Sequence, residues 1–238
     1  MKFSALTLAA AIGLTQAHPR HSKHWARADS VQGFDISHYQ ETFDFAGAYA
    51  AGARFCMIKA TEGTTYTDPS FGDHYQGATD ASIFRGAYHF ALPDSSSATE
   101  QAQYFLDNGG GWTADNRTLP GMLDIEYNPY GDTCYGLAAE DMVAWVQEFV
   151  DAYQSSTGRY PMLYTTADWW STCTGDAAGF GATVPLVLAA YSDSAPSTIP
   201  GDWETYTIWQ NSNEYEFGGD SDIFNGGIDG VQRLVAGA

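Results

Sequence analysis

The sequence predicts an α/β fold, an irregular (β/α) barrel of eight strands with helices around only part of its circumference. Three observations carry that prediction. Eight short apolar, β-rich runs recur along the chain. Helical patterns separate the early runs, an order that argues for parallel strands with helices outside. After Thr165 the helices become short or disappear, so loops must join the last strands. At 238 residues the chain is long enough for one such domain.

The strand runs span 33–37, 55–59, 83–90, 121–125, 162–165, 184–190, 205–209 and, more weakly, 221–224. Helical spacing occupies 43–51, 69–81, 98–108 and 138–155. In the last of these, Met142, Val143, Trp145, Val146, Phe149, Val150 and Tyr153 recur three and four apart, the signature of one buried helix face. No internal repeat or low-complexity linker interrupts the stretch, which gives a single domain over 28–238.

The N-terminus reads as an address. Met1-Lys2 precedes an apolar stretch from position 3 to 14, and Thr15-Gln16-Ala17 forms a small-x-small site, so residues 1–17 are expected to be a signal peptide. Residues 18–27, with three of the six histidines, are expected to be a removed or unstructured basic leader, and the mature chain to begin near Ala28. The apolar stretch is too short to span a bilayer. A secreted, extracellular product with no membrane partner follows as the expectation, and a monomer with it.

Charge narrows the function classes. From residue 28 onward 29 acids face 6 bases, and such a surface repels nucleic acid and anionic lipid. Secretion makes the three cysteines readable. Cys134 and Cys173 lie in polar loop sequence and are expected to form a disulfide, whereas Cys56, inside an apolar run, is expected to remain a buried thiol. Without a CxxC pair the cysteines argue against a zinc site, and neither metal nor cofactor is expected. Asn116-Arg117-Thr118 is a glycosylation sequon, which places Asn116 on an exposed loop.

The acids themselves suggest the chemistry. The run 119–126 ends in Asp124 and Glu126, separated by Ile125. On a strand these two side chains share a face, with Cα atoms about 6.5–7 Å apart. Two acids that close at an apolar edge raise each other's pKa, which is how a general acid stays protonated near neutral pH. Asp35, Glu62 and Asp222 end or sit in other strand runs, and parallel barrel strands open their C-terminal ends onto one face. Acids crowded on a single rim repel one another, so their collection there points to function.

These residues also carry a family resemblance. Gly-Phe-Asp-Ile-Ser-His-Tyr-Gln at 33–40, Met-Ile-Lys-Ala-Thr-Glu-Gly at 57–63 with Tyr66 and Asp68, Gly-Ala-Tyr-His-Phe at 86–90, Leu-Asp-Ile-Glu at 123–126, Tyr164, and Ile-Trp-Gln at 208–210 follow one another in order. The chain resembles glycoside hydrolase family 25, the Ch-type lysozymes (N-acetylmuramidases), over about residues 33–225. The resemblance implies a flattened, incompletely helical TIM-like barrel. It also implies hydrolysis of the β-1,4 bond between N-acetylmuramic acid and N-acetylglucosamine in bacterial cell-wall peptidoglycan. Glu126 then corresponds to the catalytic acid, Asp124 to its partner and Asp35 to the first-strand acid of the cleft. The C-terminal acid of the family is read as Asp222, with Asp220 and Asp229 as competitors. Asp124 could attack the anomeric carbon, or orient the substrate's 2-acetamido group to do so; assistance is favoured because acids on one strand lie side by side. Glu62 could contact sugar or brace Lys59. Tyr88, His89, Tyr164, Trp209 and Gln210 complete the expected substrate contacts. A chitin-directed hydrolase and a catalytically silent glycan-binding barrel are the rival readings; the former usually carries a longer acidic motif, where this chain has Pro120 and Met122.

Overall fold

The structure, a computed structural model, describes residues 30–237. The expected signal peptide, leader and start near Ala28 lie outside the described residues. The chain runs β1 (Ser30–Ile36), α1 (Phe45–Ala51), β2 (Ala53–Glu62), β3 (Tyr66–Thr67), α2 (Phe71–Asp80), β4 (Phe84–Phe90), α3 (Ala98–Phe105), β5 (Met122–Asp124), α4 (Ala139–Thr157), β6 (Met162–Thr166), α5 (Ala167–Thr174), β7 (Leu186–Ala189), β8 (Ile208–Ser212), β9 (Asp220–Asn225) and α6 (Ile228–Ala236). All eight expected strands and the four expected helices are present. The helices after β6 are short, and α5 and α6 were not individually foreseen. Among the described residues no helix is long and apolar enough to cross a membrane.

The strands close in the order β1-β2-β4-β5-β6-β7-β8-β9 and back to β1, while β3 hangs from β2 as a two-residue antiparallel flap. Neighbours are parallel except at β9, which runs antiparallel to both β8 and β1. The expectation of parallel strands therefore fails at the last one. Its cause is local: Tyr215 N–H donates to Gly219 O, and Gly218 and Gly219 take positive φ, so the chain turns back as a hairpin after β8. A side chain at Gly219 would meet the Asp35 carbonyl at 2.3 Å, so only glycine lets this turn press against β1.

Alternation along each strand sorts residues to two faces. Inward side chains (Val31, Phe55, Met57, Met162, Ile208 and Phe224) fill the lower barrel, and Val231 and Val235 of α6 close its floor. Outward side chains pack under the helices in two clusters. α4 lays Met142, Trp145, Val146, Phe149, Val150 and Tyr153 on one of them, as its periodicity predicted, and ends at Gly158 in a left-handed cap. α3 begins with a capping box between Ser97 and Glu100. Cys134 and Cys173 are bonded, tying the loop after β5 to α5, while Cys56 is buried and free.

Candidate active site

The upper mouth of the barrel opens into a cleft of about 240 Å³, lined chiefly by acids, tyrosines and two amides. The acids and Gln210 come from strand ends or just past them. β1 supplies Asp35, β5 supplies Asp124 at its last residue, and Glu126 follows two positions on. β8 supplies Gln210, and Asp220 begins β9. Extended backbone carries β5 past its formal end, because Ile125 N–H donates to Tyr164 O (3.0 Å). Asp124 and Glu126 thus keep the same facing, one above the other along the strand.

The two acids differ in exposure. Asp124 is buried, 7% exposed, and its Oδ1 has no protein partner. Glu126 is partly exposed at the mouth. Burial, with Asp220 nearby, raises the Glu126 carboxyl to about 7, against a small opposing pull from Lys59. Burial and the Glu126 charge hold Asp124 well above the usual carboxylate range. Glu126 is therefore a carboxyl raised toward neutrality at the open mouth of the cleft, whereas Asp124 is enclosed beneath it.

Gln210 organises the opposite wall. Its Nε2 donates to Asp35 Oδ2 (2.7 Å) and Asp220 Oδ2 (3.1 Å), while its Oε1 accepts from Tyr164 (2.8 Å) and Tyr191 (3.1 Å). Both amide hydrogens go to carboxylates that would otherwise repel each other. Burial and then the Asp220 charge raise Asp35 to about 8, so one of this pair holds a proton at neutral pH. Lys59 is the single cation among the described residues lining the cleft. Glu62 fixes it at 2.6 Å, the Tyr130 hydroxyl donates to Glu62 (2.5 Å), and the rings of Phe90 and Tyr66 lie 5.0 and 5.5 Å from the ammonium. Among the described residues no group of three His, Cys, Asp or Glu side chains is arranged to hold a metal ion.

A rim of carboxyls over an apolar barrel, with one acid raised to about 7, is the equipment of a glycosidase. Residues 34–220 match the sequence profile of Glycosyl hydrolases family 25. The chain belongs to glycosyl hydrolase family 25. It is similar to the N,O-diacetylmuramidase of Arthroderma benhamiae, 55% identical over 237 residues with all of both chains covered. It is also similar to Lysozyme M1 of Streptomyces globisporus, 48% identical, covering 89% of this chain and 72% of that one. Among solved structures, a family GH25 lysozyme from Aspergillus fumigatus superposes with a TM-score of 0.86 at 62% identity, covering 87% of this chain and 99% of the other.

The family 25 barrel brings together Asp35, Asp124, Glu126, Tyr88, Tyr164 and Gln210 of the expected residues and sets four apart. His89 alternates with Tyr88 and so faces outward. It is wholly buried between Thr61 Oγ1 (2.8 Å) and Gln101 Oε1 (2.9 Å), stacked on Phe149, and burial lowers it to about 4, a neutral core histidine. Trp209 likewise faces away from Gln210, donating to Ala190 O (2.7 Å) within the outer core. Glu62 braces Lys59 and does not line the cleft. Asp222 lies inside the barrel below the cleft, 2% exposed, paired across β1 with Gly33. Because β9 runs backward, its first residue reaches the rim, so Asp220 takes the place expected of Asp222. Gln210 lines the cleft, but its amide is committed to protein partners.

Sequence reasoning names Asp220 only as a competitor of Asp222 and does not place Lys59, Tyr39 or Gln40 in the cleft. The signal for Asp220 was the Gly218-Gly219 pair, a hairpin turn that reverses the strand. Tyr39 and Gln40 stand within the 33–40 block, beyond the end of β1 at Ile36. Asn116 is exposed, with φ 58°, in a turn after α3.

Proposed function

We propose that this protein is a secreted lysozyme that hydrolyses the β-1,4 bond between N-acetylmuramic acid and N-acetylglucosamine in peptidoglycan, with retention at the anomeric carbon. The observation that carries the reading is Glu126 at the open mouth with Asp124 buried two residues behind it on one strand. Protonated Glu126 donates to the glycosidic oxygen as the bond to C1 breaks. The substrate's 2-acetamido oxygen bonds to C1, forming a cyclic oxazolinium. Asp124 accepts the acetamide N–H through an unprotonated oxygen, turning the carbonyl oxygen toward C1. Glu126, now a carboxylate, takes a proton from water as that water attacks C1 and reopens the ring. The side-by-side placement of the two acids supports assistance over direct attack by Asp124. Asp35 and Asp220, held by Gln210, keep negative charge close to Glu126 and so hold its proton on.

Digestion of purified cell walls, reduction of the new ends and mass spectrometry test the bond assignment. Reduced N-acetylmuramic acid is the expected end, with chitin left uncut; reduced N-acetylglucosamine would overturn it. A thiazoline inhibitor should bind the cleft, whereas a glycosyl ester trapped on Asp124 would replace assistance with direct attack. Secretion and glycosylation are checked together on the exported protein: its N-terminus should lie near Ala28, and glycan removal should shift the peptide carrying Asn116.

A further inference from the structure

Beside the cleft lies a second depression that the proposed mechanism does not use. It is an open groove of about 550 Å³ between the segment after β1 (His38, Gln40, Glu41, Thr42) and Phe217-Gly218 before β9. Tyr39 and Gln40 line both depressions, so the groove leaves the cleft at its rim rather than standing apart from it.

Its wall is braced from beneath. His38 donates through its backbone N–H to the buried Asp68 carboxylate (2.9 Å), and its Nδ1 lies 3.1 Å from the same oxygen. Gln40 accepts from Ser37 N–H through its side chain (3.1 Å), and its carbonyl lies 2.9 Å from His74 Nε2 of α2. Over this fixed turn Tyr39 rests on the His38 ring (4.2 Å between centroids) and stays 82% exposed. A rigid turn that holds an aromatic ring in solvent loses little entropy when a ligand covers it.

The substrate's own chemistry names an occupant. Muramic acid is branched: a lactyl ether on O3 carries a peptide that must leave the glycan axis sideways while the bond is cut. The groove continues from the cleft rim at Tyr39 and Gln40 and has a mixed lining of ring faces, an amide, a hydroxyl and one carboxylate. Glu41 is exposed in it and the whole protein carries a formal net charge of −19, so the groove favours a cationic group over an anionic one. We propose that this groove binds the peptide branch of muramic acid, with Glu41 facing the free ammonium of its diamino residue. This inference rests on the muramidase reading.

The test compares kcat/KM on soluble wall fragments that keep their peptides with the same glycan after an amidase has removed them. Glu41→Gln, Glu41→Lys and Thr42→Trp are used because none of these positions lines the catalytic cleft. On peptide-bearing fragments Glu41→Gln should lose about threefold and Glu41→Lys about tenfold, with Thr42→Trp, which fills the groove, at least as damaging. On the stripped glycan all three should match the parent protein. Acetylating the peptide amines should lower kcat/KM for the parent and leave Glu41→Gln unchanged. Equal losses on both substrates would make the groove a further sugar site and overturn the proposal, as would no loss on either. If the parent protein cuts neither substrate, it is the muramidase reading that fails.

Discussion

The upper and lower halves of the barrel interior are built by the same strands, two residues apart. Going up one step on each strand changes Gly33 to Asp35, Met57 to Lys59, Met122 to Asp124 and Ile208 to Gln210; β9, running the other way, changes Phe224 to Asp222 and then Asp220. The lower layer is apolar and closed by α6. The upper layer is acidic apart from Lys59 and Gln210, and burial pushes the pKa values of its acids upward. One half holds the barrel together and the other is held against its own repulsion. Function here occupies the places where the packing rule is broken, and the cost is met by the layer beneath.

That division gives substitutions with opposite signatures. Glu126→Gln should remove the proposed proton donor and lower kcat by about 10³-fold, some 4 kcal/mol of activation barrier, with the thermal midpoint unchanged or slightly raised. Turbidity loss of cell walls measures the rate, and calorimetry the midpoint. In the lower layer, Met162→Ala opens a cavity in a fully buried site and should cost about 3 kcal/mol of stability, read from urea unfolding. The rate per folded molecule should stay near that of the parent. If Met162→Ala instead cut kcat with stability intact, the two layers would not be separate.

Asp222 sits at the boundary, and its sign can be worked out. Burial, then Asp35 and Asp220, hold its carboxyl well above 3.8, and its Oδ1 has no protein partner. The folded chain therefore keeps a proton that the unfolded chain releases above about pH 4. The contribution of this group to stability is fully present below that pH and is lost as pH rises toward the folded pKa. Asp222→Asn should thus stabilise the protein by about 1–3 kcal/mol at pH 8 and by little at pH 4. Denaturant midpoints at the two pH values decide it; an equal shift at both would mean that shape, not charge, governs this site.

Strand number, the four main helices, the disulfide and the Asp124–Glu126 pair were legible in the sequence because each is a local pattern. Alternation puts residues 124 and 126 on one face whatever the tertiary setting. Which face was inward was not local. Tyr88 and His89 are adjacent, as are Trp209 and Gln210, and only the curvature of the closed sheet decides which of each pair meets the cleft. The direction of β9 was partly written, in Gly218-Gly219, but its weight depends on β8 and β1 both being free to pair with it. The Lys59–Glu62–Tyr130 string joins two residues three apart to one 68 positions away, a pairing that no spacing rule could supply.

That string permits the finest test of the upper layer. Lys59 opposes burial at both Glu126 and Asp124, lowering each carboxyl against the effect of its acidic neighbours. Lys59→Gln removes the cation and keeps an amide to meet Glu62, so the Glu126 pKa should rise. A general acid works only while protonated, so the alkaline fall of kcat/KM should move upward with it. Measured between pH 5 and 9, the variant should retain a larger fraction of its own maximum at pH 8 than the parent does, although the maximum itself can be lower. A shift toward acid would mean that Lys59 serves Glu126 through the substrate rather than through its charge. Tyr130→Phe separates the two: it loosens Glu62 while leaving the ammonium in place, so it should move the profile less than Lys59→Gln, and in the same direction.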